Sequence, residues 1–444
     1  MRRRLAPLAA AGIAVLALAA CTAGTEDAPR LGAKPSGAAS ALPAATIELW
    51  HGFSADHEVK AFEDAVAGFR KKFPQITVKL VKAVEDDKII QAVRAGQPPD
   101  VASSFSTDNV AQFCKTGMFQ DLNPVIAQDG VDIGVLPQVV QNYTQFEGKR
   151  CVMPLLADAY GLYYNKKLMK GHEPPKTLSE LTRLAKELTV RDSEGNIEVA
   201  GFMPSTQYYE HSISHLGTMV GGKWYNPDGT SAIGSDPAWK QLLTWQKELI
   251  DWYGHDKLEK FRKGLGQEWS ADNPFHVGKV AMAIDGEWRN AMIALDAKDL
   301  DYGTAPVPVA DDKPQLYGGG FISGTIIGIP RGAKNPQAAW ELVKYLTTDT
   351  DGLVTLSNAL RNVPTTKASL ASPALKKDAN FQTALDVFAH PASFSLPAHI
   401  NSVYNQEAFA EFVVKWESGA VTDLDAGLAE VDKTINDKLK LAGG

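Results

Sequence analysis

Thr46-Ile47-Glu48-Leu49-Trp50 places Ile47 and Leu49 on one side of the chain and polar groups between them, the alternation of a short strand with one buried face. A loop, His51-Gly52-Phe53, follows, and Ser54 is expected to cap the next helix, with Asp56 and Glu58 in its first turn at the positive end of the dipole. Val59, Phe62, Val66, Phe69 and Phe73 recur at helical spacing; Lys71 and Lys72 fill the last turn and Pro74 stops it. Ile76, Val78 and Leu80 alternate as a second strand, a helix over residues 86–95 ends at Gly96, and Asp100-Val101-Ala102-Ser103 is a third strand. Strand, helix, strand, helix, strand predicts a parallel, doubly wound α/β sheet.

The same grammar returns downstream. Thr177-Leu178-Ser179-Glu180 reads as a capping box that opens a helix, and residues 239–253 as an amphipathic helix. Residues 280–284 and 325–329 read as buried strands, Asn335-Pro336 as a helix start, and the last helix as beginning near Asp423. No short internal repeat is present, which removes solenoids and propellers.

Upstream, Arg2-Arg3-Arg4 precedes an apolar run from Leu5 to Ala20 that meets Cys21. A basic start and a short apolar stretch mark a secretory signal, since a membrane span needs about 20 apolar residues. Leu18-Ala19-Ala20-Cys21 resembles the bacterial lipoprotein signal, which implies removal of residues 1–20 and lipidation of Cys21; the alternative is an ordinary secretory signal. Residues 21–45, rich in Ala, Gly, Ser, Pro and Thr, are expected to form a flexible tether. The chain is thus expected to be exported, lipid-anchored to the outer face of the cytoplasmic membrane, and monomeric.

Of 444 residues, 44% are hydrophobic and 22% charged, and the body beyond residue 45 is long enough for two domains. A net charge of −7 argues against nucleic acid as a partner. Cys114 and Cys151 read first as a disulfide in an exported chain, with free buried thiols as the alternative. Gly-x-Ser-x-Gly and phosphate-loop motifs are missing, and no cofactor is expected.

Taken in order, Thr46 to Gly52, Phe69 to Pro74, Ala95 to Val101, Pro154 to Lys166, Gly278 to Trp288, Tyr302 to Pro306 and Gly318 to Gly320 resemble the extracellular solute-binding proteins of ABC importers, the family-1 group that includes maltose-binding protein. The resemblance implies two doubly wound α/β lobes joined by a hinge that the chain crosses several times. It places the first lobe at 46–155 plus 306–350 and the second at 156–305 plus 351–444. It also implies a carbohydrate ligand in the crevice between the lobes and ABC permease subunits as partners.

A neutral sugar needs aromatic faces to stack on and a few polar groups for its hydroxyls. Ligands of open α/β sheets lie beyond the carboxyl ends of the strands. That rule selects Trp50, His51 and Phe53 after the first strand, and Phe105 and Ser106 after the third. In the second lobe the candidates are Asp158 and Tyr160 past the hinge, Tyr209, and the cluster Asp285, Glu287, Trp288 and Arg289. The family resemblance singles out Trp288 for stacking. Gly319 and Gly320 would let backbone approach a ligand, and Arg361 stands in a loop that resembles one reaching the cleft. For each of these, packing or a surface ion pair is the competing role. His211 and His215, spaced four apart, read as a helix surface and no metal is expected. Two rivals remain. One is an exported carbohydrate-active enzyme using a pair among Asp158, Asp285 and Glu287; the other is the same scaffold binding a polyol phosphate, for which only Arg289 and Arg361 offer positive charge.

Overall fold

A computed structural model describes residues 31–32 and 42–443. Residues 1–20, Cys21 and most of the 21–45 segment lie outside the described residues. Leu31 and Leu42 pack against the body, and the Leu31 amide donates to Gln120 Oε1 at 3.3 Å, so parts of the expected tether touch the fold.

Nine strands are described: β1 (Ala45–Trp50), β2 (Ile76–Val81), β3 (Val101–Ser104), β4 (Val152–Asn165), β5 (Val190–Arg191), β6 (Ile197–Phe202), β7 (Val280–Gly286), β8 (Tyr302–Ala305) and β9 (Ile322–Gly328). They run in the order β2-β1-β3-β9-β4-β7-β6-β5, with β8 added on β4. The expected parallel pairing holds for β1 with β2 and β3, and for β6 with β7. Around β4 and β9 the sheet is antiparallel.

The hinge follows from β4. Its first part, residues 152–159, pairs with β9; its last part, residues 160–165, pairs with β7 and β8. One strand therefore belongs to both halves. Fourteen residues at about 3.3 Å each give it the reach to do so.

Two hydrophobic clusters sandwich the first half of the sheet, one holding Ile47, Phe62, Phe69 and Leu346, the other Val110, Tyr143, Ile326 and Phe381. A separate cluster fills the second half, with Leu184, Phe202, Trp239 and Met282 at its centre. These cores shift two expected boundaries. Val307 and Ala310, placed by sequence in the first lobe, are buried in the second-half core. The helix Thr350–Leu360, placed in the second lobe, buries Leu353, Leu356 and Leu360 in the first, and Phe381 and Phe388 follow it there. Helix polarity alone could not show which half these faces meet.

Local capping also differs. Ala55, not Ser54, stands at the start of the helix Asp56–Lys72, and the Glu58 carboxylate accepts from the Ser54 and Ala55 amides at 3.1 and 3.0 Å. At the start of the helix Pro336–Thr348, the Asn335 side chain instead reaches the Thr46 carbonyl at 3.2 Å.

Cys114 and Cys151 form a disulfide, with Cα atoms 5.4 Å apart, that ties the helix Val110–Lys115 to the start of β4 across a sequence separation of 37. Such a loop restricts the unfolded chain, so the double replacement Cys114→Ser with Cys151→Ser is expected to cost roughly 2–4 kcal/mol. Urea titration at neutral pH checks this. Coincident curves would show that the bridge adds nothing.

Candidate functional site

Between the two halves lies a cleft of about 540 Å³. The first half contributes Gly52, Phe53, Ser54, Ala55, His57, Glu58, Glu85 and Phe105. Glu210, Trp269, Trp288, Ala291 and Met292 form the opposite wall, and Asp158, Tyr160, Ser323, Thr325 and Asn362 the floor. Strand order fixes the place: β2-β1-β3 reverses direction of travel between β1 and β3, and the loops carrying Phe53 and Phe105 leave that switch point.

Aromatic rings dominate both walls. Phe53 and Phe105 meet edge to face with centroids 4.7 Å apart, and Phe105 is 48% exposed. Gly52 makes this contact possible, because a Cβ there would overlap the Phe105 ring. Across the cleft, Trp288 stands perpendicular to Tyr160 at 5.4 Å and lies roughly parallel to Trp269 at 6.2 Å. Trp269 is 58% exposed. A Cβ on Gly286 would overlap the Trp288 indole, so the glycine that ends β7 sets the indole's place.

The floor is a network of carboxyl groups. Asn362 Nδ2 donates to Asp158 Oδ1 at 2.7 Å and to Glu287 Oε1 at 2.9 Å, while the Ala159 amide donates to Glu287 Oε2 at 2.7 Å. Burial pushes the Asp158 carboxyl up to about 6, with Asn362 and Ser323 pulling back. Burial, then the Asp158 charge, holds Glu287 well above the usual carboxylate range. Beside them, Arg289 is fully buried; its Nε donates to Asp285 Oδ2 at 2.7 Å and its Nη1 to the Glu268 carbonyl at 3.1 Å. Burial, with the charges of Asp285 and Glu268, raises Glu210.

Of the residues selected from sequence, Phe53, Phe105, Asp158, Tyr160 and Trp288 line the cleft. The others do not. Trp50 packs on the first-half core with Lys88 over its ring at 5.4 Å. His51 is buried, stacked on Phe62 at 4.6 Å, and held neutral by burial with a pKa of about 4. The Ser106 amide turns back to Ser104 Oγ at 3.0 Å. Tyr209 stacks on Tyr208 at 4.5 Å and its hydroxyl donates to the Gly266 carbonyl. Asp285, Glu287 and Arg289 sit behind the wall as its supports. Gly319 packs against Ala392, and a Cβ on Gly320 would come 2.7 Å from the Tyr160 carbonyl oxygen, so these glycines serve packing. Arg361 pairs with Asp378 and lies over Phe381 at 4.7 Å, outside the cleft.

His211 and His215 are not a helix surface. His211 is buried, its Nε2 accepting from the Ile284 amide at 2.9 Å, and His215 is half-buried against Tyr160 at 3.8 Å. Trp269 and Glu210 escaped sequence reading, whereas the loop singled out at Arg361 does reach the cleft, through Asn362 in place of Arg361. Trp269 carried the one usable mark, a large aromatic residue in a polar, glycine-containing stretch from Gly264 to Ser270.

The folded state binds a proton at Asp158 more tightly than the unfolded chain, whose aspartates titrate near 3.9. Its contribution to stability is therefore full below about pH 4 and is lost as pH rises through about 6. The Asp158 charge acts on Glu287 and on the Tyr143 phenol, raising both. Between pH 7.5 and 5, the wild type is expected to gain stability relative to Asp158→Asn. Urea midpoints of both proteins at several pH values measure this, and parallel pH profiles would contradict it.

Residues 64–383 match the model of the bacterial extracellular solute-binding protein family. The chain is 24% identical over 341 residues to the maltotriose-binding protein of Pyrococcus abyssi, covering 75% of this chain and 69% of that one. It is 26% identical over 348 residues to the maltooligosaccharide ABC transporter solute-binding lipoprotein of Streptococcus pneumoniae serotype 4, covering 77% and 75%. Its fold is similar to that of CpMnBP1 with mannotriose bound, at a TM-score of 0.77 and 24% identity over 88% of this chain and 99% of that one. It is also similar to the GacH receptor of Streptomyces glaucescens, solved unliganded and with acarbose, at a TM-score of 0.71 and 22% identity over 90% and 99%. With the two-lobed sheet, the cleft at its switch point and a family match over most of the body, the chain belongs to the bacterial extracellular solute-binding proteins.

Proposed function

We propose that this protein captures a carbohydrate, a mono- or oligosaccharide, in the interlobe cleft and delivers it unchanged to the permease subunits of an ABC importer. The observation that carries the reading is the composition of the cleft. Phe53, Phe105, Tyr160, Trp269 and Trp288 offer flat faces, and Asp158, Glu210, Ser323, Thr325 and Asn362 offer hydrogen-bonding groups between them. The relatives named for maltotriose and maltooligosaccharides, and the structural neighbours holding mannotriose and acarbose, support the same class.

The two halves share β4, so a ligand touching both walls favours the closed form. The permease then reads closure. Among the described residues no helix is long and apolar enough to cross a membrane. Residence at the outer membrane face, as a monomer held by lipid on Cys21, completes the proposal, and the lipoprotein relative supports it.

Hydrolysis is the competing use of such a cleft, and the geometry of the floor disfavours it. Catalysis needs two carboxyl groups facing the scissile bond. Both Glu287 oxygens are already hydrogen-bonded, to the Ala159 amide and to Asn362, and Asp285 is engaged by Arg289 behind the wall.

Thermal melting against a panel of mono- and oligosaccharides tests the reading. At least one saccharide is expected to raise the melting temperature with its concentration, quench tryptophan fluorescence, and yield no new reducing ends. Trp288→Ala is expected to weaken binding about tenfold or more. New reducing ends that vanish in Glu287→Gln would instead establish an enzyme.

A further inference from the structure

The cleft's charge is one-sided. Glu58, Glu85, Asp158 and Glu210 line it, and Glu268, Asp285 and Glu287 stand directly behind. No lysine or arginine lines it among the described residues, and Arg289, behind its wall, is fully buried and committed to Asp285 and the Glu268 carbonyl. His57 is the one imidazole on the lining.

Helix N-termini are where a protein most readily seats an anion. Here the N-terminus of the helix Asp56–Lys72, which opens on the cleft through Ser54 and Ala55, is occupied by the protein's own Glu58 carboxylate at 3.1 and 3.0 Å. The helix Asp86–Arg94 begins next to the lining residue Glu85, and its first residue, Asp86, is held by Ser104 Oγ at 2.8 Å and Asn109 Nδ2 at 2.6 Å.

We propose that the cleft is a charge filter: it accepts neutral and amine-bearing saccharides and rejects saccharides carrying a carboxylate or phosphate, with Asp158 at the floor as the residue that sets this specificity. The inference rests on the carbohydrate reading above and narrows it. A hydroxyl or an ammonium donates to Asp158 or Glu210. An anionic substituent finds hydroxyl and amide donors such as Ser323, Thr325 and Asn362 but no lysine or arginine, and it meets carboxyl groups across a short, poorly screened distance.

Calorimetry with defined probes tests it. Maltotriose and mannotriose are each used native, with the primary hydroxyls oxidised to carboxylates, and with those hydroxyls replaced by amines of similar size. The native and amine forms of the sugar that binds are expected to bind comparably or with the amine form tighter, and the oxidised form at least about tenfold weaker. Asp158→Asn is expected to narrow the gap between native and oxidised forms. Oxidised sugar binding as well as native sugar, or amine and oxidised forms losing affinity equally, would overturn the filter while leaving the carbohydrate reading intact. If neither trisaccharide binds, the same three forms of the saccharide that stabilises the protein in the melting panel are used; if no saccharide of that panel binds, the carbohydrate reading falls and the filter with it.

Discussion

Strand β4 is the element that every other feature of this molecule has to accommodate. Its backbone must be hydrogen-bonded along its whole buried length, and it meets this demand by changing partners, from β9 over residues 152–159 to β7 and β8 over 160–165. The handover falls between Ala159 and Tyr160. Asp158 and Tyr160, one on each side of it, are thereby fixed at the floor of the cleft by sheet register, while Phe105 and Trp288 arrive on loops that belong to opposite halves. A crossing made this way fixes the floor by strand register and leaves the walls to loops of the two halves.

Placing carboxyl groups at that floor is costly unless each has donors. Asn362 resolves the problem for two at once. It comes from the loop after the helix Thr350–Leu360, which packs in the first-half core, and its amide nitrogen bonds both Asp158 on β4 and Glu287 beyond β7. A first-half segment thus holds a second-half carboxyl through one side chain. The turn that follows is pinned as well: Asn290 Nδ2 donates to the Glu287 carbonyl at 2.8 Å and to the Tyr163 hydroxyl at 3.1 Å, and Tyr302 donates to Asn290 Oδ1 at 2.8 Å. Trp288 lies inside this clamp. Its indole packs over Gly286, where a Cβ would overlap the ring.

Much of the fold was readable because its rules are local. Alternation found β1 and β2, helical spacing found the helix Asp56–Lys72, and the strand-end rule selected Phe53 and Phe105, which line the cleft. The misreadings share a cause. Trp50 and His51 end a strand just as Phe53 follows one, but His51 faces inward onto Phe62, and sequence offers no mark for that direction. Glu210, Trp269 and Asn362 come from three loops far apart in the chain, and only the packing of both halves brings them to one cavity. The histidine pair failed for a related reason. A spacing of four implies a shared face only within a helix, and the helix here, Ile213–Gly217, begins after His211. The lobe boundaries erred because the amphipathic helices after residue 350 show an apolar face without showing which core it joins.

The division of labour within the cleft explains why a site so rich in acid groups suits binding better than bond cleavage. A general acid has to be protonated and also free to reach a leaving group. Burial favours the protonated form of Glu287, yet the same burial spends its oxygens on the Ala159 amide and Asn362. Asp158 is closer to ionised at neutral pH and faces the cleft, but its neighbour is immobilised by the amide that also holds Asp158 itself. Two carboxyl groups locked by one shared donor cannot move independently through a reaction coordinate. They can stay fixed while hydroxyl groups of a guest come to them, with aromatic walls excluding water on either side. Rigidity of that kind makes the floor a template, and the motion is left to the two halves.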